Sequence, residues 1–479
     1  MQQQKKKASK AKVPVKFPAN QSIHAAPTSN EPEQKAIEPV FFGSWSSQEP
    51  FVNIAQALAK GQGKVALRGW VYRERSLKNL KFIVLRDSTN IIQCVFSAEQ
   101  FPDRFSEIDK IQIETSMFIE GTLRKEDRAP TGYELDVTAF AVIGPSDTFP
   151  ITKDQSIEFL ADNRHLWLRS RKMTAILKIR STVFGAIHEY FRTQGFYEYH
   201  SPIFQSVQCE GGSTLFAVDY FGKKDVFLAQ TWQLYAEPAI FSLEKIYTIA
   251  PSFRAEKSKT SRHLTEYWHA EMEVAWATFD EIIDHGEALI KHVVARVLEK
   301  NKPELALLGR DITKLEPAIT KPFPRITYTQ ALALLKEKHQ MVIPWGKDLR
   351  TIEEDKLSSL FDTPLAVTHY PKKVKAFYMK ESPENPNVVH GVDFIAPEGY
   401  GEIIGGSERE SDLEKIKERL VHDGENVEEY AFYLDTRKYG SVPHGGFGFG
   451  VERVISWICG LDNIKDAIPF PRTMLRYKP

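Results

Sequence analysis

The middle of the chain contains a short segment whose side chains could bind a polyphosphate. The fourteen residues from Phe253 to Glu266 include two arginines, one histidine and two glutamates, which are Arg254, Arg262, His263, Glu256 and Glu266. Guanidinium groups bind phosphate oxygens, and carboxylates hold the metal ions that accompany polyphosphates. A solvated, charged loop would have the same composition, so this segment alone does not identify a binding site.

A second segment near the C-terminus favours the binding site over the solvated loop. Residues 445–450 read Gly-Gly-Phe-Gly-Phe-Gly, and they lead into Glu452 and Arg453 at the start of an apolar stretch that continues to Ile458. A lone glycine-rich loop would be weak evidence for nucleotide binding. Two separate segments of this kind, in this order, are much more specific.

Together the two segments resemble motifs 2 and 3 of the class II aminoacyl-tRNA synthetases. Motif 2 has the form F-R-x-E followed by R-H-L-x-E, and motif 3 has the form G-x-G-x-E-R. The tail from Gly460 to Arg472, which contains Gly-Leu-Asp-Asn-Ile and Pro-Phe-Pro-Arg, is similar to the aspartyl/asparaginyl branch of that family. The resemblance extends from about residue 60 to the C-terminus. It implies an enzyme that activates an amino acid with ATP and transfers it to tRNA.

The composition is that of a globular protein with two or three domains. The 479 residues are 42% hydrophobic and 26% charged, and the formal net charge is zero, so any contact with tRNA must come from local patches. Cys94, Cys209 and Cys459 lack the paired spacing of a zinc site, and their low number fits a reducing compartment. Because the sequence contains neither a long apolar run nor a secretory signal, we expect a cytoplasmic location without membrane association.

The first part of the chain predicts a disordered tail followed by a small β-barrel. Residues 1–45 start with a lysine-rich stretch and contain little that could form a core, so we expect a basic tail that is solubilising or binds tRNA weakly. Residues 46–145 contain five short strand patterns, which is typical of an oligonucleotide-binding (OB) fold. These patterns cover residues 65–71, 82–87, 91–96, 117–123 and 133–142.

The resemblance implies that this barrel binds the tRNA anticodon. In this branch the middle anticodon base, a uridine, is stacked on a phenylalanine and read by a glutamine, and Phe82 and Gln93 match those two positions. Arg75 and Glu114 match two further family contacts. Without the resemblance, an aromatic residue in the barrel core would be the simpler interpretation of Phe82.

The rest of the sequence predicts a hinge and an α+β catalytic domain. Residues 146–170 begin at a Gly-Pro-Ser cluster and are expected to form the hinge, and residues 171–479 the catalytic domain. Hydrophobic spacing predicts helices over about residues 173–193 and 279–300. Strands are expected at residues 224–228, 245–251, 268–275, 364–368 and 376–379.

The resemblance adds an architecture to these elements. It implies an antiparallel sheet flanked by helices, and a homodimer that forms through motif 1, which includes the first of these helices and ends at Pro202. It also implies a peripheral insertion near residues 277–360. Within that insertion, residues 301–360 carry no motif that can be interpreted from the sequence.

The resemblance assigns five residues to ATP. Arg254 matches the residue that binds the α-phosphate, and Glu256 matches the residue that binds the adenine end. Arg262 and His263 match contacts on the γ-phosphate side. Arg453 matches the arginine that packs over adenine and reaches the γ-phosphate, as a planar guanidinium can do. Arg254 and Arg453 are therefore the candidate catalytic residues.

A Mg²⁺ ion is implied as well, with Glu402 as its side-chain ligand. Glu402 matches a metal-binding glutamate of the branch, and hard oxygen ligands suit this ion. Aspartyl relatives have a serine where this chain has Gly405, which leaves the second ligand open. Asp393 and Ser407 are the possible additional ligands.

The amino-acid pocket distinguishes asparagine from aspartate. Glu210 and Gln233 resemble residues that hold the substrate's α-ammonium group. Ala236 stands where aspartyl enzymes have a lysine that binds the substrate carboxylate, so that cation is missing. Glu271 and Arg409 match the pair that reads the side-chain amide in asparaginyl enzymes, and an amide has the donor and the acceptor that such a pair requires.

The expected activity is therefore ATP- and Mg²⁺-dependent ligation of asparagine to the 3′-terminal adenosine of tRNA(Asn). Three alternatives stay open at this point. They are a nondiscriminating aspartyl-tRNA synthetase, an asparagine synthetase that reuses the catalytic domain, and a non-catalytic RNA-binding paralogue.

Overall fold

The computed structural model of the chain contains two compact units. It describes residue 47 and residues 49–209, 215–257 and 260–479, so the expected tail at residues 1–45 and the candidate residue Glu210 lie outside the described residues. The units meet in the sequence between Pro150 and Ile151. No helix in these described ranges combines the length and the hydropathy that crossing a bilayer requires.

The first unit is a closed five-stranded barrel with the strand order β1-β2-β3-β5-β4. This confirms the OB-fold prediction, and all five expected strand patterns correspond to strands. The elements are α1 (Ile54–Lys60), β1 (Gly63–Leu77), β2 (Leu80–Arg86), β3 (Ile91–Ser97), α2 (Phe105–Asp109), β4 (Ser116–Lys125) and β5 (Tyr133–Gly144).

Alternation along the strands decides which side chains fill the barrel. Ile83 of β2 and Cys94 of β3 belong to the apolar core. Because successive side chains of a strand point to opposite faces, their neighbours Phe82 and Gln93 lie on the outer face. Phe82 is therefore not a core aromatic, which was the simpler interpretation of the sequence.

The second unit contains an eight-stranded sheet, a three-stranded sheet and most of the helices. Its elements are α3 (Ile157–Asp162), α4 (Arg164–Trp167), α5 (Arg171–Thr193), β6 (Tyr197–Glu198), β7 (Phe204–Gln205), β8 (Ala217–Tyr220), β9 (Lys223–Leu228), α6 (Gln233–Leu243), β10 (Lys245–Phe253), β11 (Glu266–Ala275), α7 (Phe279–Lys300), α8 (Lys302–Leu307), α9 (Pro317–Thr320), β12 (Arg325–Thr327), α10 (Tyr328–His339), α11 (Thr351–Ser358), β13 (Leu365–Thr368), β14 (Gly391–Ala396), β15 (Gly401–Glu408), α12 (Leu413–His422), α13 (Ala431–Lys438), β16 (His444–Gly450) and α14 (Val451–Cys459).

The large sheet has the order β12-β13-β14-β15-β16-β11-β10-β6. Neighbouring strands from β13 to β10 pair in antiparallel fashion, as the family resemblance implied. The pairs at the two edges, β12 with β13 and β6 with β10, are parallel, so the sheet is mixed. Helices α5, α7 and α14 bury their apolar side chains against one face of this sheet.

Helix α7 illustrates how local sequence sets these elements. It begins after Thr278, whose hydroxyl caps the amide of Glu281, while the Glu281 carboxylate accepts from the amide of Thr278. This capping box satisfies amide groups that would otherwise lack a partner. The apolar spacing of the following residues gives the buried stripe that packs on the sheet. The helix covers the predicted residues 279–300.

The strand expected at residues 376–379 is wrong. These residues form a turn that includes one isolated bridge, between Met379 and Arg409. Phe377 and Tyr378 are both buried, and they belong to an apolar cluster with α12 and α13. Two consecutive buried side chains do not fit a strand with one buried face, because its neighbouring side chains point in opposite directions.

Motif 1 and motif 3 are joined by a buried ion pair. Arg180 on α5 donates from Nη1 to Glu452 Oε1 at 2.6 Å and to the carbonyl oxygen of Ala467 at 3.1 Å. The other carboxylate oxygen of Glu452 accepts from the amide of Trp268 on β11 at 2.8 Å. This one carboxylate therefore connects α5, α14 and β11 behind the sheet.

Replacing Arg180 by methionine is expected to destabilise the second unit by about 3–5 kcal/mol, because Glu452 would stay buried without its cation. The double change Arg180→Met with Glu452→Leu should recover part of that loss, since no unpaired charge remains. Arg192→Met removes an exposed arginine from the same helix and should change stability little. Thermal unfolding of the three variants measures the difference, and equal stability of the Arg180 and Arg192 variants would contradict the prediction.

Candidate active site

The sheet register places two carboxylate residues at opposite ends of a row of four paired residues, one from each of the neighbouring strands β14, β15, β16 and β11. In that row Asp393 pairs with Gly405, Gly405 with Gly448, and Gly448 with Glu271. Strands in a sheet lie about 4.8 Å apart, so the two acidic residues are separated by roughly 14 Å. The two glycines between them carry no side chains, and a substrate can therefore lie across the row.

Side chains at the two glycines would fill the space above this row, which forms the floor of the site. A Cβ atom added at Gly448 would meet the imidazole ring of His269, and one added at Gly405 would lie 2.7 Å from Glu402 Oε1. Real Cβ atoms do not make contacts this close, so a side chain at either position would displace its neighbour. At Gly405 the contact is with the end of the flexible Glu402 side chain, which could move aside, whereas at Gly448 the His269 ring lies against the added atom.

Two cavities meet above this floor. The larger has a volume of about 570 Å³ and contains the three expected amino-acid residues that the structure describes, Gln233, Glu271 and Arg409. The smaller has a volume of about 120 Å³ and contains all five residues assigned to ATP from the sequence. The cavities share four lining residues, which are Arg254, His269, Glu402 and Gly448. The structure thus brings the predicted ATP and amino-acid residues into one continuous site.

Glu271 lies buried at one end of the larger cavity. Its carboxylate accepts hydrogen bonds from the amide of Trp232, at 2.9 Å, and from the hydroxyl of Thr231. Nδ1 of His269 is 3.3 Å from Glu271 Oε1. Burial alone would raise the pKa of Glu271, but His269 and these donors lower it below its usual value. The carboxylate is therefore ionised at neutral pH.

Arg409 lines the same cavity, but its direct partner is Glu273. Nε and Nη2 of Arg409 donate to the two Glu273 oxygens at 3.0 and 2.9 Å, and Nη1 donates to Ser407 Oγ at 2.8 Å. Burial alone would lower the pKa of Arg409, and the Glu273 carboxylate instead raises it well above its usual range. Ser407 is thus engaged by Arg409, away from the position of a helper for Glu402.

Gln233 is held by a second buried carboxylate, Glu237. Gln233 Nε2 donates to Glu237 Oε1 at 2.9 Å, and Arg437 Nη2 lies 2.6 Å from Glu237 Oε2. His444 Nε2 is 3.0 Å from the same oxygen. Ligand atoms of Glu237, Glu273 and His444 lie within 4.8 Å of one another. Because Arg437 and Arg409 already neutralise the two carboxylates, this cluster is an ion-pair network that supports the pocket, and not a metal site.

The smaller cavity has the composition of a nucleotide site. Tyr267, which the sequence analysis did not single out, lines it together with Arg254 and Arg453. The Arg254 guanidinium lies 5.5 Å from the centre of the Tyr267 ring, and Arg453 Nη1 donates to the carbonyl oxygen of Glu402 at 2.9 Å. An aromatic ring together with guanidinium planes suits a heterocyclic base, and the same guanidinium groups suit phosphate oxygens.

His263 lies among cations in this cavity. Burial and then the nearby Arg453 lower its pKa, although Glu256 opposes this with a carboxylate oxygen 3.5 Å from Nε2. A neutral imidazole at neutral pH can donate or accept a hydrogen bond at a phosphate or a ribose without adding charge.

Carboxylates gather where the two cavities meet. Glu402 lines both cavities, and Asp393 and Asp348 line the larger one. Lys375 is the cation among them, with Nζ 2.6 Å from Asp393 Oδ2. Burial, opposed by Lys375 and reinforced by Glu402, raises the pKa of Asp393 to about 6. Burial and Glu402 also raise the pKa of Asp348.

This donor set fits a hard divalent cation. Carboxylate oxygens are the ligands that Mg²⁺ prefers, and here they outnumber the one ammonium group that neutralises them. The raised pKa of Asp393 reflects the same excess of negative charge. Glu402 is the ligand predicted from sequence, and Asp393, which was only a possible helper, belongs to the same carboxylate cluster.

The predicted anticodon residues fall into two groups. Arg75 pairs with Phe82 across β1 and β2, and its guanidinium lies 4.9 Å from the centre of the Phe82 ring. Gln93 on β3 donates from Nε2 to Glu134 at 2.8 Å. Arg75, Phe82 and Gln93 therefore share the outer face of neighbouring strands. Glu134, which the sequence analysis missed, belongs to the same face.

Glu114 does not lie with this group. Its carboxylate forms a buried ion pair with Arg86, at 2.9 Å from Nη2. Arg86 is four residues beyond Phe82 along β2, which corresponds to roughly 13 Å at 3.3 Å per residue. Glu114 was implied by the family resemblance as a separate contact, whereas Glu134 is brought beside Gln93 by the pairing of β3 with β5.

Comparison with known families gives two matches. The family described as tRNA synthetases class II (D, K and N) matches residues 156–474. The family described as OB-fold nucleic acid binding domain matches residues 65–143.

Individual proteins are similar over most of the chain. The asparagine–tRNA ligase of Thermoplasma acidophilum is 49% identical over 433 residues, which cover 89% of this chain and 100% of that protein. The ligase of the same name from Thermococcus kodakarensis is 48% identical over 416 residues, with coverages of 87% and 96%.

Solved structures are also similar to this chain over most of its length. The crystal structure of asparaginyl-tRNA synthetase from Pyrococcus horikoshii complexed with asparaginyl-adenylate has a TM-score of 0.86 at 43% identity, and covers 90% of this chain and 100% of that one. The asparaginyl-tRNA synthetase of Entamoeba histolytica in complex with asparaginyl-adenylate has a TM-score of 0.78 at 32% identity, with coverages of 87% and 96%.

Cation binding at the carboxylate cluster is expected to strengthen as the pH rises. In the unfolded chain Asp393 would titrate at about pH 4, whereas in the folded protein its pKa is raised to about 6. Without a cation, the folded protein therefore loses stability as the pH rises from about 4 to about 6, because the unfolded chain releases this proton more easily. A divalent cation needs the deprotonated form and should offset that cost. The stabilisation by Mg²⁺ in thermal unfolding should therefore be larger at about pH 7.5 than at about pH 5.5. Asp393→Asn should reduce this difference, and Glu354, whose pKa is raised to about 7 by burial and Glu402, would account for the remainder. Asp435→Asn, whose half-exposed carboxylate pairs with Lys438 on α13, should keep the full difference, and equal stabilisation of the wild type at both pH values would refute the assignment.

Proposed function

Because the chain belongs to the class II tRNA synthetases of the D, K and N group, we propose that it ligates asparagine to tRNA. The observation that carries this proposal is the cavity with an ionised Glu271 and a charged Arg409 at the end opposite the carboxylate cluster. Relatives that are 44–49% identical over most of the chain have the same activity in their names. The substrates are asparagine, ATP and tRNA(Asn).

In the first reaction the α-carboxylate of asparagine attacks the α-phosphate of ATP, and pyrophosphate leaves. No covalent nucleophile from the protein is needed, so the chain's contribution is alignment and stabilisation of charge. Arg254 lines both cavities, and the α-phosphate must lie where the cavities meet. Its guanidinium is therefore the group that binds that phosphate as negative charge develops. Arg453 and Tyr267 hold the adenine, and Glu256 reads its edge.

In the second reaction a hydroxyl of the 3′-terminal adenosine of tRNA attacks the acyl carbonyl carbon. The ester bond forms, the mixed anhydride breaks, and AMP leaves. The substrate stays oriented throughout, because its side chain is bound by Glu271 and Arg409. Gln233, and Glu210 outside the described residues, bind its α-ammonium group.

Selection of asparagine over aspartate follows from charge. The amide NH₂ donates to Glu271 and the amide oxygen accepts from Arg409. The side chain of aspartate would bring a second anion to Glu271. At roughly 4 Å and an effective dielectric constant near 20, that repulsion is on the order of 4 kcal/mol before relaxation. Because about 1.4 kcal/mol corresponds to a factor of ten, the repulsion is sufficient for strong discrimination.

Asp393 and Glu402 would hold Mg²⁺ at the end of the larger cavity that is opposite Glu271, where the two cavities meet. The ion supplies positive charge that neutralises the polyphosphate. Lys375 balances Asp393 when the ion is absent, because its ammonium group is within 2.6 Å of that carboxylate.

The barrel binds the anticodon through the face that carries Arg75, Phe82 and Gln93. The half-buried Phe82 ring offers an aromatic platform for a base, and the Gln93 amide, oriented by Glu134, reads the edge of that base. Glu114, which is paired with Arg86 at a distance from this face, would contact a part of the anticodon other than the base on Phe82.

A homodimer that forms through motif 1 is part of the proposal. Its support is a set of large apolar side chains that are exposed in the segment following α5, which are Tyr197, Ile203 and Phe204, together with Tyr220, whose ring contacts Phe204, and its neighbour Phe221. Exposed apolar patches of this kind favour association, since burial removes them from water.

Separate features weigh against each of the other activities. The alanine at position 236, where aspartyl enzymes have a lysine, and the ionised Glu271 disfavour a synthetase that activates aspartate. An asparagine synthetase would leave the base-binding face of the barrel without a ligand. A non-catalytic RNA-binding protein would have no need for the converging arginines and carboxylates.

The sharpest test of the proposed function is Glu271→Gln, assayed by ATP–pyrophosphate exchange with asparagine and with aspartate. The variant loses a charge-assisted hydrogen bond to the amide, worth about 1.5–3 kcal/mol, and it loses the repulsion of aspartate. The ratio of kcat/KM for asparagine to that for aspartate should fall at least about tenfold. Glu266→Gln, on the same strand but outside the lining of both cavities, should leave the ratio unchanged. An unchanged ratio in folded Glu271→Gln would exclude Glu271 from the specificity site and favour the aspartyl activity.

Phe82→Ala and Gln93→Ala are expected to impair tRNA charging but not ATP–pyrophosphate exchange. Base stacking contributes about 1–3 kcal/mol, so KM for tRNA should rise about tenfold or more. Trp70→Ala provides the control, because Trp70 is an exposed aromatic residue on neighbouring β1 and lies opposite Arg86, away from the half-buried Phe82 of β2. If all three variants charge tRNA normally, the anticodon does not bind this face.

A further inference from the structure

The segment without an interpretable motif ends in a helix beside the ATP cavity. Residues of β12, α10, α11 and β13 share an apolar cluster of their own, which includes Tyr328, Leu335 and Leu357. Helix α11 (Thr351–Ser358) packs from this cluster onto β14 and β15. Its polar face carries Glu354 and Asp355 towards residues assigned to ATP.

Asp355 is bound to one of those residues. Its Oδ1 atom accepts from Nη2 of Arg262 at 2.6 Å. The same Nη2 atom donates to the carbonyl oxygen of Gly399, in the connection between β14 and β15. Arg262 comes from motif 2, so two segments far from it in the sequence hold one of its guanidinium nitrogens.

The other terminal nitrogen of Arg262 faces the site. Nη1 is buried and has no hydrogen-bond partner among the residues that the structure describes. Arg262 lines the smaller cavity. A buried guanidinium N–H without a partner is costly, and an anionic oxygen in the cavity would satisfy it.

Arg453 converges on the same place. A Cβ atom built on Gly401 would lie 3.1 Å from Arg262 Nη1 and 3.7 Å from Arg453 Nη1. Gly401 has a φ angle of 74°, which disfavours any side chain there. The two guanidinium groups thus converge beside the backbone of Gly401, next to Glu354 Oε2, and Arg262 is the one whose direction depends on the insertion.

We propose that Asp355 is a positioning residue for ATP. Its carboxylate fixes Arg262 so that Nη1 points at the terminal phosphates, which makes the insertion a working part of the nucleotide site. This inference rests on the proposed function, because it takes ATP as the ligand of the smaller cavity. Asp355 itself touches Arg262 and not the nucleotide.

The opposite role for α11 is competition with the phosphates. Glu354 Oε2 lies 2.7 Å from the position that a Cβ atom on residue 401 would take. An acidic side chain of α11 therefore does reach the space between the two arginines. Asp355 differs from Glu354, because it binds the nitrogen that points away from the site and leaves Nη1 available. The two roles predict opposite changes in the affinity for ATP.

Loss of the Asp355 carboxylate should affect binding without unfolding the protein. The side chains of Asp355 and Arg262 are 40% and 20% exposed, and ion pairs with this exposure contribute little to global stability. A change in ATP kinetics in a variant with normal thermal unfolding would therefore be a local effect on Arg262.

The experiment measures ATP–pyrophosphate exchange by the full-length protein carrying Asp355→Asn. KM for ATP should rise about tenfold, while KM for asparagine should change less than about twofold. Asp355→Glu keeps the charge and should recover part of the affinity for ATP. Asp362→Asn makes the same chemical change just after the insertion, where Asp362 pairs with Lys321 of the insertion, and should behave like the wild type.

A double-mutant cycle identifies the route of the effect. Arg262→Ala should raise KM for ATP by itself, and adding Asp355→Asn to it should cause no further rise, because Asp355 acts only through Arg262. An unchanged KM in Asp355→Asn, or fully additive effects in the double variant, would overturn the proposal. A lower KM in Asp355→Asn would show that α11 competes with ATP, which also overturns it.

If the proposed function itself is wrong, the exchange assay should give a different result from those above. In that case the wild-type protein would exchange pyrophosphate with neither asparagine nor aspartate. Calorimetric titration with Mg²⁺ and ATP would then still test Asp355, since positioning of Arg262 predicts weaker nucleotide binding by Asp355→Asn than by Asp362→Asn in the absence of any turnover.

Discussion

The candidate active site depends on the register of four neighbouring strands. Strand β11 alternates apolar residues, which pack on α5 and α7, with Tyr267, His269, Glu271 and Glu273, which face the site. A shift of one residue would move all of these side chains to the other face. The same register aligns glycines of β15 and β16 between Glu271 and Asp393. The open floor and its two acidic ends are thus consequences of one pairing pattern.

Buried charge is tolerated in this site because almost every charge has a partner. Glu273 is paired with Arg409, and Glu237 with Arg437 and His444. Desolvation of these groups is costly, so the network is poor evidence for stability. It does fix the direction of the Arg409 guanidinium before a substrate arrives. Such preorganisation is what an electrostatic reader of an amide needs, since little reorganisation is then required on binding.

The other half of the site has charge that is only partly balanced. Carboxylates from β14, β15 and the insertion surround Lys375, and the pKa values of Asp393, Asp348 and Glu354 are raised by burial and by their neighbours. The arginines of motifs 2 and 3 stand next to these acids. A polyphosphate with its divalent cation would complement both sets of groups, because it brings negative charge to the arginines and positive charge to the acids. The insertion, which contributes Asp348, Glu354 and Asp355, is therefore part of this electrostatic arrangement.

The sequence by itself determined the features that depend on residues close together in the chain. The family motifs, the five barrel strands, the amphipathic helix α7 and the clustering of Arg254, Glu256, Arg262 and His263 can all be read from local patterns, because strand and helix periodicity fix which side chains share a face. Only the tertiary structure decided which distant groups meet. Glu273 as the partner of Arg409, Glu134 beside Gln93, Asp355 against Arg262 and the turn at residues 376–379 all depend on packing between separate segments. Local periodicity carries no information about those pairings, since the partners are selected by strand order and by the burial of charge, which exist only once the chain has folded.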